Sequence, residues 1–598
     1  MSEKVVNDFS ITIGTVNGSG SQTANVTLLR ALFKMGIPVS GKNLFPSNIQ
    51  GLPTWYTIRV SKDGYIARRD EQEVVISLNP ASFIRDLDSV KPGGAFFYSD
   101  DIKQPIHRDD IFIYPMPVKE IARKADVSPT LRDYISNMVY VGILSQMLGI
   151  DLEMIKQALN FHFKGKIQAV DSNFGTVKTA ADWAAKNLRK LDPFSVERMD
   201  STVGYIMADG NTAAALGAIY GGIQFAAWYP ITPASTLVES LNVFLPQLRK
   251  NSDGKQTYAV LQAEDELAAV GMAIGAGWGG LRSMTSTSGP GISLMSEYVG
   301  LAYFAEVPVV IWDVQRLGPS TGLPTRTAQG DLTETFFFSH GDVQNVILLP
   351  GSVQECFEFG WKAFDLAERL QAPVFVLSDL DLGMNQWMTK PFEYPDTPLD
   401  RGKVLWEADL ERLEGSWKRY QDVDGDGIPS RTVPGNKHPS AAWLGRGTGH
   451  DESAKYSEDA HVWELNMSRL KKKYLTAQSL VPKPIVRIAK GASAGIIAYG
   501  STDPAVEEAI ASLKKNEKMK ISYLRLRALP STSETKAFIN KYDRIYFVEA
   551  NRDGQLCQIM SAVFPDQAPK FHSICHSDGL PLTSNWVKKE ILAREEKK

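Results

Sequence analysis

Apolar and polar positions alternate along residues 211–384 with a regularity that predicts a parallel α/β sheet. Apolar strands are predicted at 223–229, 257–263, 281–288, 307–314 and 372–378. Helices are predicted before them at 212–220, 235–248, 264–278, 291–305 and 352–370. Apolar strands that alternate with helices are typical of a parallel sheet covered on both faces. Ligands of such sheets bind at the carboxyl ends of the strands, which here carry YPIT, QAED, TSTSGPG and DVQRLGPSTG.

The pattern changes on both sides of this segment. A strand at 9–16, a glycine turn and an amphipathic helix to residue 36 predict a Rossmann-like beginning. Residues 385–485 lose the alternation, which resumes up to residue 598. We therefore expect a first α/β domain at 1–192, a linker at 193–210, a parallel-sheet domain at 211–384, an insertion or arm at 385–485 and a smaller α/β domain at 486–598.

The glycine turn NGSGSQT at residues 17–23 leaves three interpretations open. A dinucleotide fingerprint needs a third glycine where Thr23 stands, and an acidic residue after the next strand, which the segment 37–45 lacks. NAD binding is the first interpretation, and a tight turn without a ligand is the second. The third is a helix N-terminus that meets another anion, such as a coenzyme phosphate.

Composition excludes several classes of partner and site. The chain has 65 Lys and Arg against 68 Asp and Glu, which argues against nucleic acid or an anionic membrane as the main partner. Its three cysteines form no C-x-x-C pair, so neither a disulfide framework nor a self-contained iron–sulfur site is expected. The N-terminus has no signal pattern, and glycines break the weakly polar run 213–229 into a helix and a strand. A cytoplasmic protein is expected.

Glu264 is the first candidate for chemistry, because it stands at a predicted strand end and helix start. One interpretation is an acid favoured in the first helical turn by the helix dipole, and this applies more strongly to Asp265 and Glu266 beside it. The other is a carboxylate at the mouth of a parallel sheet, aimed at a cofactor nitrogen.

Arg316, Arg326 and Thr232 are candidates for holding a substrate. Guanidinium groups bind carboxylates in a bidentate fork, so either arginine could hold an organic acid; the alternative is a structural ion pair. Thr232 lies between Pro230 and Pro233, which restrict its backbone and leave a hydroxyl at the tip of the turn. An ordinary proline-rich turn is the alternative there.

Two motifs that suggest metal binding do not meet their requirements. DVDGDG at 422–427 resembles the start of a calcium loop, but Val433 stands where a bidentate Glu is needed. The same GDG resembles a magnesium–diphosphate motif, but residues 450–457 contain no answering asparagine, so we interpret it as a polar turn. His572 and His576 flank Cys575 without further ligands, and no metal site is predicted in this chain.

Four stretches, GNTAAALGAIYGGIQFAAWYPITPAS, QAEDELAAVGMAIGAG, TSTSGPGISLMSE and DVQRLGPSTGLPTRTAQGDL, together resemble the alpha subunit of 2-oxoacid:ferredoxin oxidoreductases. GSGSQTA and FPSNIQGLPTWY resemble the gamma domain of these enzymes, fused here to the N-terminus. DGDGIPSRTVPG and GRGTGHDE resemble the arm of the 2-oxoglutarate-type members. The resemblance implies a Rossmann-like gamma domain, a pyrimidine-binding domain of thiamine enzymes and a domain like the C-terminal one of transketolase.

The resemblance also implies roles for individual residues. Glu264 would hydrogen-bond the aminopyrimidine ring of thiamine diphosphate and promote loss of its thiazolium proton. Thr232 and Arg316 would hold the carboxylate of the 2-oxoacid, and both join Glu264 as expected catalytic residues. Further cofactor contacts are expected at Tyr229, Pro230, Ile231, Ser288 and Gly289, further substrate contacts at Thr321 and Arg326, and coenzyme A contacts at Gly18, Gly20, Ser21 and Gln22.

The implied reaction is a reversible oxidative decarboxylation of a 2-oxoacid, with 2-oxoglutarate favoured over pyruvate, 2-oxobutyrate or an aryl pyruvate. Coenzyme A takes the acyl group and ferredoxin takes the electrons; the reverse direction would fix carbon, as in a reductive TCA cycle. Mg²⁺ and a [4Fe-4S] cluster are expected in a beta subunit, within a heterotetramer made of two heterodimers. A non-catalytic scaffold and an NAD-dependent oxidoreductase are the competing hypotheses.

Overall fold

The structure is a computed structural model of the 598-residue chain that describes residues 3–47, 51–124 and 129–596. The α/β fold class is confirmed, since parallel pairs dominate the three large sheets. None of the helices in these ranges combines the length and the apolar character needed to cross a bilayer. The run 213–229 forms a helix and a strand, as predicted.

A six-stranded sheet organises the N-terminal segment. Its strands and the short ones nearby are β1 Val5–Val6, β2 Asp8–Val16, β3 Val39–Leu44, β4 Pro53–Ser61, β5 Gln72–Ser77, β6 Val90–Ser99, β7 Phe112–Met116 and β8 Phe194–Ser195. The helices are α1 Ser21–Lys34, α2 Phe83–Ser89, α3 Val118–Arg123, α4 Pro129–Leu148, α5 Leu152–His162 and α6 Ile167–Asn187. The predicted sequence of strand, glycine turn and helix is confirmed in β2 and α1. The sheet order β3-β4-β2-β5-β6-β7 differs from an all-parallel arrangement, because β4 runs antiparallel between β3 and β2.

A seven-stranded sheet follows. Its segment contains β9 Ile206–Ala208, α7 Gly210–Tyr220, β10 Phe225–Trp228, α8 Ser235–Leu248, β11 Ala259–Gln262, α9 Glu266–Trp278, β12 Ser283–Thr287, α10 Gly289–Leu294, α11 Ser296–Ala305, β13 Val309–Gln315, α12 Leu332–Phe336, β14 Val346–Leu348, α13 Val353–Leu370, β15 Pro373–Asp379, α14 Leu380–Met384 and β16 Trp387–Thr389. The order is β11-β10-β12-β13-β15-β14, closed by an antiparallel strand from the C-terminal segment. The five predicted strands are confirmed and parallel, so their carboxyl ends share one edge.

The remaining chain forms a five-stranded sheet and, before it, the irregular segment, which is our name for residues 385–485. The elements are α15 Glu407–Arg412, α16 Ala460–Ala477, β17 Ile485–Arg487, β18 Ala494–Tyr499, α17 Asp503–Asn516, β19 Ile521–Leu526, β20 Ala528–Leu529, α18 Ser533–Lys541, β21 Arg544–Glu549, α19 Gln555–Val563, β22 Phe571–Cys575 and α20 Ser584–Glu595. The sheet order is β17-β19-β18-β21-β22. β20 follows β19 of the five-stranded sheet in the chain and pairs with β14 of the seven-stranded sheet, so the chain connects the two sheets here. The domain boundaries given above stay a prediction.

The irregular segment is fastened to the seven-stranded sheet by buried charges. Glu306, just after α11, accepts hydrogen bonds from Arg469 at 2.5 Å and from Lys473 at 2.8 Å, both on α16. The DVDGDG stretch lies against the same helix, because Thr476 of α16 donates to the Asp426 carbonyl at 2.7 Å. The Asp426 carboxylate pairs with Lys403, outside that helix, at 2.8 Å. The stretch forms a polar bend, and that it binds no metal ion stays a prediction.

Candidate functional site

The YPITP turn follows β10 at the carboxyl edge of the seven-stranded sheet, and two side chains hold it there. Arg316 donates from Nη1 to the Thr232 carbonyl at 2.7 Å. Asn211, at the start of α7, donates from Nδ2 to the Pro233 carbonyl at 2.9 Å. Tyr229 and Pro230 are exposed, and Ile231 is half-buried against the core of the sheet. The turn is thus held through its backbone carbonyls, while Tyr229 and Pro230 remain exposed.

Arg316 connects two loops at this edge. Its side chain follows β13, is buried, and donates from Nη2 to the Thr321 carbonyl at 3.1 Å. Burial lowers the pKa of the guanidinium, an effect that the nearby Asp331 opposes. No acceptor in the described part of the chain meets Nε. Arginine carries five N–H donors, so the two carbonyl contacts leave donors that could meet a carboxylate.

Glu264 lies beside this turn, two residues after the edge strand β11 ends. The Ala263 amide donates to the Trp228 carbonyl at 2.8 Å, so the chain beyond β11 continues next to the residues that follow β10. Glu264 is exposed, whereas Asp265 caps α9 by accepting from the Ala268 amide at 2.6 Å. The interpretation of Asp265 as an acid of the helix start is confirmed. Glu266 is buried, and its side chain lies against Gly291.

Ser288 and Gly289 begin α10 at the same edge. The Ser288 hydroxyl is buried and has no hydrogen-bond partner among the described residues. A Cβ atom on Gly289 would lie 2.9 Å from both carboxylate oxygens of Asp331, so only glycine fits there without a shift. A buried hydroxyl without a partner next to a glycine is a position suited to a polar ligand group.

The four residues expected to contact coenzyme A lie on a different sheet. Gly18 and Gly20 have φ values of 84° and 78°, which favour glycine, and they form the turn between β2 and α1. Ser21 is buried and accepts a hydrogen bond from Thr15 at 2.9 Å, whereas Gln22 is exposed. The ring of Tyr134 covers Gly20, 2.7 Å from where its Cβ would lie.

Arg326 is turned toward the N-terminal segment. Its Nη1 donates to the carbonyls of Phe45 and Thr325, both at 2.9 Å, and Gly579 packs on its side chain. Residues 48–50 of the neighbouring FPSNIQGLPTWY stretch lie outside the described residues. Thr325 also lines a cavity of 160 Å³ between the N-terminal, central and C-terminal segments, whose charged lining includes Lys42, Arg68, Arg85, Asp86 and Asp381. The structure therefore brings Arg316 into contact with the YPITP turn and Thr321 into contact with Arg316, whereas Arg326 contacts the N-terminal segment.

Three residues that hold the site were not singled out from the sequence. Asn211 holds the YPITP turn, and the fully buried Asp313 and the half-buried Asp331 place two carboxyl groups behind Gly289. A carboxylate inside the apolar strand VVIWDVQ was the signal available for Asp313. Asn211 and Asp331 resemble ordinary residues of helix starts, so nothing in the sequence set them apart.

Comparison with known proteins identifies the family. The description "Pyruvate ferredoxin/flavodoxin oxidoreductase" matches residues 10–183, and "Pyruvate flavodoxin/ferredoxin oxidoreductase, thiamine diP-bdg" matches residues 216–397. The 2-oxoacid:ferredoxin oxidoreductase 1 subunit alpha of Sulfurisphaera tokodaii is 32% identical over 501 residues, which cover 76% of each chain. The 2-oxoglutarate synthase subunit KorA of Methanothermobacter marburgensis is 49% identical over 183 residues, 30% of this chain and 47% of that protein.

A solved structure matches nearly the whole fold. It is 2-oxoglutarate:ferredoxin oxidoreductase from Magnetococcus marinus with 2-oxoglutarate, coenzyme A and succinyl-CoA bound. The match has a TM-score of 0.86 at 29% identity and covers 98% of this chain and 99% of that one. The full-length likeness of fold and the alpha-subunit relatives agree with each other. This chain belongs to the 2-oxoacid:ferredoxin oxidoreductase family, as an alpha subunit.

Proposed function

We propose that this chain works with a beta subunit in the reversible oxidative decarboxylation of 2-oxoglutarate to succinyl-CoA and CO₂, with electrons passed to ferredoxin. The observation that carries the proposal is that the YPITP turn, Glu264 and Arg316 meet at one edge of a parallel sheet. The same edge holds Ser288 and Gly289. Parallel sheets bind their ligands at this edge.

The residues at this edge fit thiamine diphosphate. Glu264 is an exposed carboxylate that could hydrogen-bond a ring nitrogen, and the buried Ser288 hydroxyl lacks a protein partner among the described residues. When bound, the cofactor would supply the electron sink for the decarboxylation. Glu264 would hold one of its ring nitrogens, and Tyr229, Pro230 and Ile231 would lie against it. Mg²⁺ and the diphosphate would be held by the beta subunit.

Arg316 would bind the carboxylate of the oxoacid. Its Nη groups already contact the carbonyls of Thr232 and Thr321, which fixes the plane of the guanidinium and directs its remaining donors. Because Arg316 uses the carbonyl of Thr232, the hydroxyl of that threonine is left for the substrate. A charged donor whose orientation is fixed by neighbours loses little side-chain entropy on binding.

The substrate preference rests on the relatives. One relative is named 2-oxoglutarate synthase, and the solved structure that covers this chain is a 2-oxoglutarate enzyme. Both matching family descriptions name pyruvate instead. Pyruvate or another 2-oxoacid is therefore the alternative substrate.

A partner would cover the edge strand beside Glu264. Large apolar side chains are exposed on β11 and α9, at positions Leu261, Leu267, Met272 and Trp278. Patches of this kind mark protein interfaces. We propose that the beta subunit, with a [4Fe-4S] cluster, covers this face in a cytoplasmic assembly of two heterodimers. If the chain were instead a non-catalytic scaffold subunit, it would form the same interface, but replacing Glu264 would leave the activity of the complex unchanged.

Coenzyme A is bound in the Magnetococcus enzyme, and we propose that it binds the N-terminal segment of this chain. The glycine turn at Gly18–Gln22 offers a helix N-terminus, which favours anions. The cavity near Arg326 is the second candidate, since Arg85 stacks over Trp55 at 4.3 Å there and supplies both charge and an aromatic face.

The test is reduction of ferredoxin or a viologen by the anaerobic complex with its beta subunit, in the presence of coenzyme A and each 2-oxoacid in turn. We expect 2-oxoglutarate to give the highest kcat/KM. Activity only with pyruvate would keep the reaction and refute the substrate. No reduction with any oxoacid, by a complex shown to contain its cofactor and cluster, would refute the function.

A further inference from the structure

A fully buried carboxyl group and a half-buried one lie near each other behind the site. Asp313 lies in β13, where it pairs with Thr287 of β12 and Leu377 of β15, and its side chain is fully buried. Asp331 precedes α12, and its carboxylate lies against Gly289. The two residues are 18 positions apart in the chain but lie near each other: the Asp331 amide donates to Gln315, two residues beyond Asp313 on β13, and each carboxyl group acts on the pKa of the other.

No ordinary donor satisfies this pair. Neither oxygen of Asp313, nor Oδ2 of Asp331, has a hydrogen-bond donor in the described ranges, and no ion pair there includes either residue. A proton on one of the two carboxyl groups would let it donate to the other and supply the missing donor. Two neighbouring carboxylates resist ionising together, and more so because Asp313 is fully buried, so the pair favours keeping one proton.

The surrounding charges do not remove the need for this proton. The charged and titratable groups around the pair are Arg316 at the end of β13, Glu334 on α12, Tyr499 at the end of β18, Asp379 at the end of β15 and Glu266 on α9. Burial raises the pKa of both carboxyls, Asp313 further through Asp331, and that of Asp331 to about 7. Arg316 is the cation that opposes this rise at Asp331.

The pair is connected to both halves of the site. Asp331 supports Gly289, and its amide donates to the Gln315 side chain at 3.1 Å, next to Arg316 in sequence. A second negative charge would repel Asp313 from Asp331 and attract the Arg316 guanidinium. Arg316 would then leave its contacts with Thr232 and Thr321.

We propose that Asp313 and Asp331 are positioning residues that share one proton and thereby hold Gly289 and Arg316 in the arrangement needed for substrate binding. The activity consequence rests on the proposed function, whereas the shared proton does not. With the proton present, β13 and the start of α12 are joined by a hydrogen bond. When the proton is lost, the two carboxylates repel each other, and the Arg316 guanidinium no longer keeps its fixed position in the oxoacid site.

The first test is the pH profile of kcat/KM for the complex with its beta subunit. If only the protonated pair is competent, kcat/KM falls about tenfold per pH unit above about pH 7. In Asp331→Asn and Asp313→Asn, an amide N–H donates to the remaining carboxylate without a shared proton, so this alkaline limb should disappear. Glu334→Gln is the matched control, because Glu334 is exposed and outside the pair; it should keep the limb with a small shift toward lower pH.

A second measurement detects the shared proton itself and needs no turnover. Infrared spectroscopy of the unsubstituted complex should show a protonated-carboxyl stretch at neutral pH. This band should disappear as the pH rises, with the same midpoint as the fall in kcat/KM. The stretch should be absent from either Asn variant that assembles. An unchanged alkaline limb in both variants, or no protonated-carboxyl stretch at neutral pH, would overturn the proposal. The stretch without any oxidoreductase activity would instead refute the proposed function alone.

Discussion

Replacing Arg316 by lysine should weaken substrate use without removing the positive charge. The guanidinium makes two hydrogen bonds, of 2.7 Å to Thr232 and 3.1 Å to Thr321, from two different nitrogens. A lysine has a single nitrogen and cannot reproduce this fork, so one contact is lost. A hydrogen bond from a charged group contributes about 1.5–3 kcal/mol, which corresponds to a loss of about 10- to 150-fold in kcat/KM.

The assay is steady-state viologen reduction by the complex with its beta subunit, with 2-oxoglutarate varied at fixed coenzyme A. Arg249→Lys is the matched control: Arg249 is half-buried and donates to the Ile219 carbonyl at 3.2 Å, away from the carboxyl edge of the sheet. It should leave kcat/KM nearly unchanged. The reasoning fails if Arg316→Lys stays within about twofold of the unsubstituted enzyme, or if Arg249→Lys loses as much.

Two further predictions concern residues with structural roles. In Glu306, burial opposes ionisation, but Arg469 and Lys473 outweigh it and lower the pKa to about 2. This pair of contacts should contribute about 3 kcal/mol that is fully present above about pH 4.3 and is lost as pH falls toward 2. Thermal unfolding across pH should show this loss, and Glu306→Gln should lack it; an identical acid dependence in the variant would contradict it. Asp265→Ala removes the cap of α9 and should cost about 1 kcal/mol of stability while keeping kcat; a collapse of kcat would instead give Asp265 a role in the reaction.

Long periodic segments were the most predictable part of the fold. Helix α8 spans Ser235–Leu248, as its apolar spacing predicts, because one apolar face settles both type and length. The predicted helix 291–305 is instead two helices that meet at Met295. The short strand β14 and helix α12 were not predicted, since three to five residues carry too little periodicity.

Contacts between distant residues were beyond the reach of the sequence pattern. Placing the YPITP turn, Glu264 and Arg316 at one edge follows from parallel strands, and the structure has that edge. That Arg316 binds the carbonyl of Thr232 depends on tertiary packing, as does the insertion of β4 between β2 and β3. The meeting of Asp313 with Asp331 likewise has no local signature, because each residue is ordinary in its own element.

The role of Glu264 is the central claim, and one measurement tests it most directly. The complex is prepared with Glu264 or with Glu264→Gln, both loaded with thiamine diphosphate, and exchange of the cofactor's C2 proton for deuterium is followed by quenched NMR. We predict that the variant retains the cofactor but exchanges at least about 100-fold more slowly, because a glutamine amide cannot serve the ring nitrogen as a carboxylate does. Equal exchange rates in the two proteins would contradict the account.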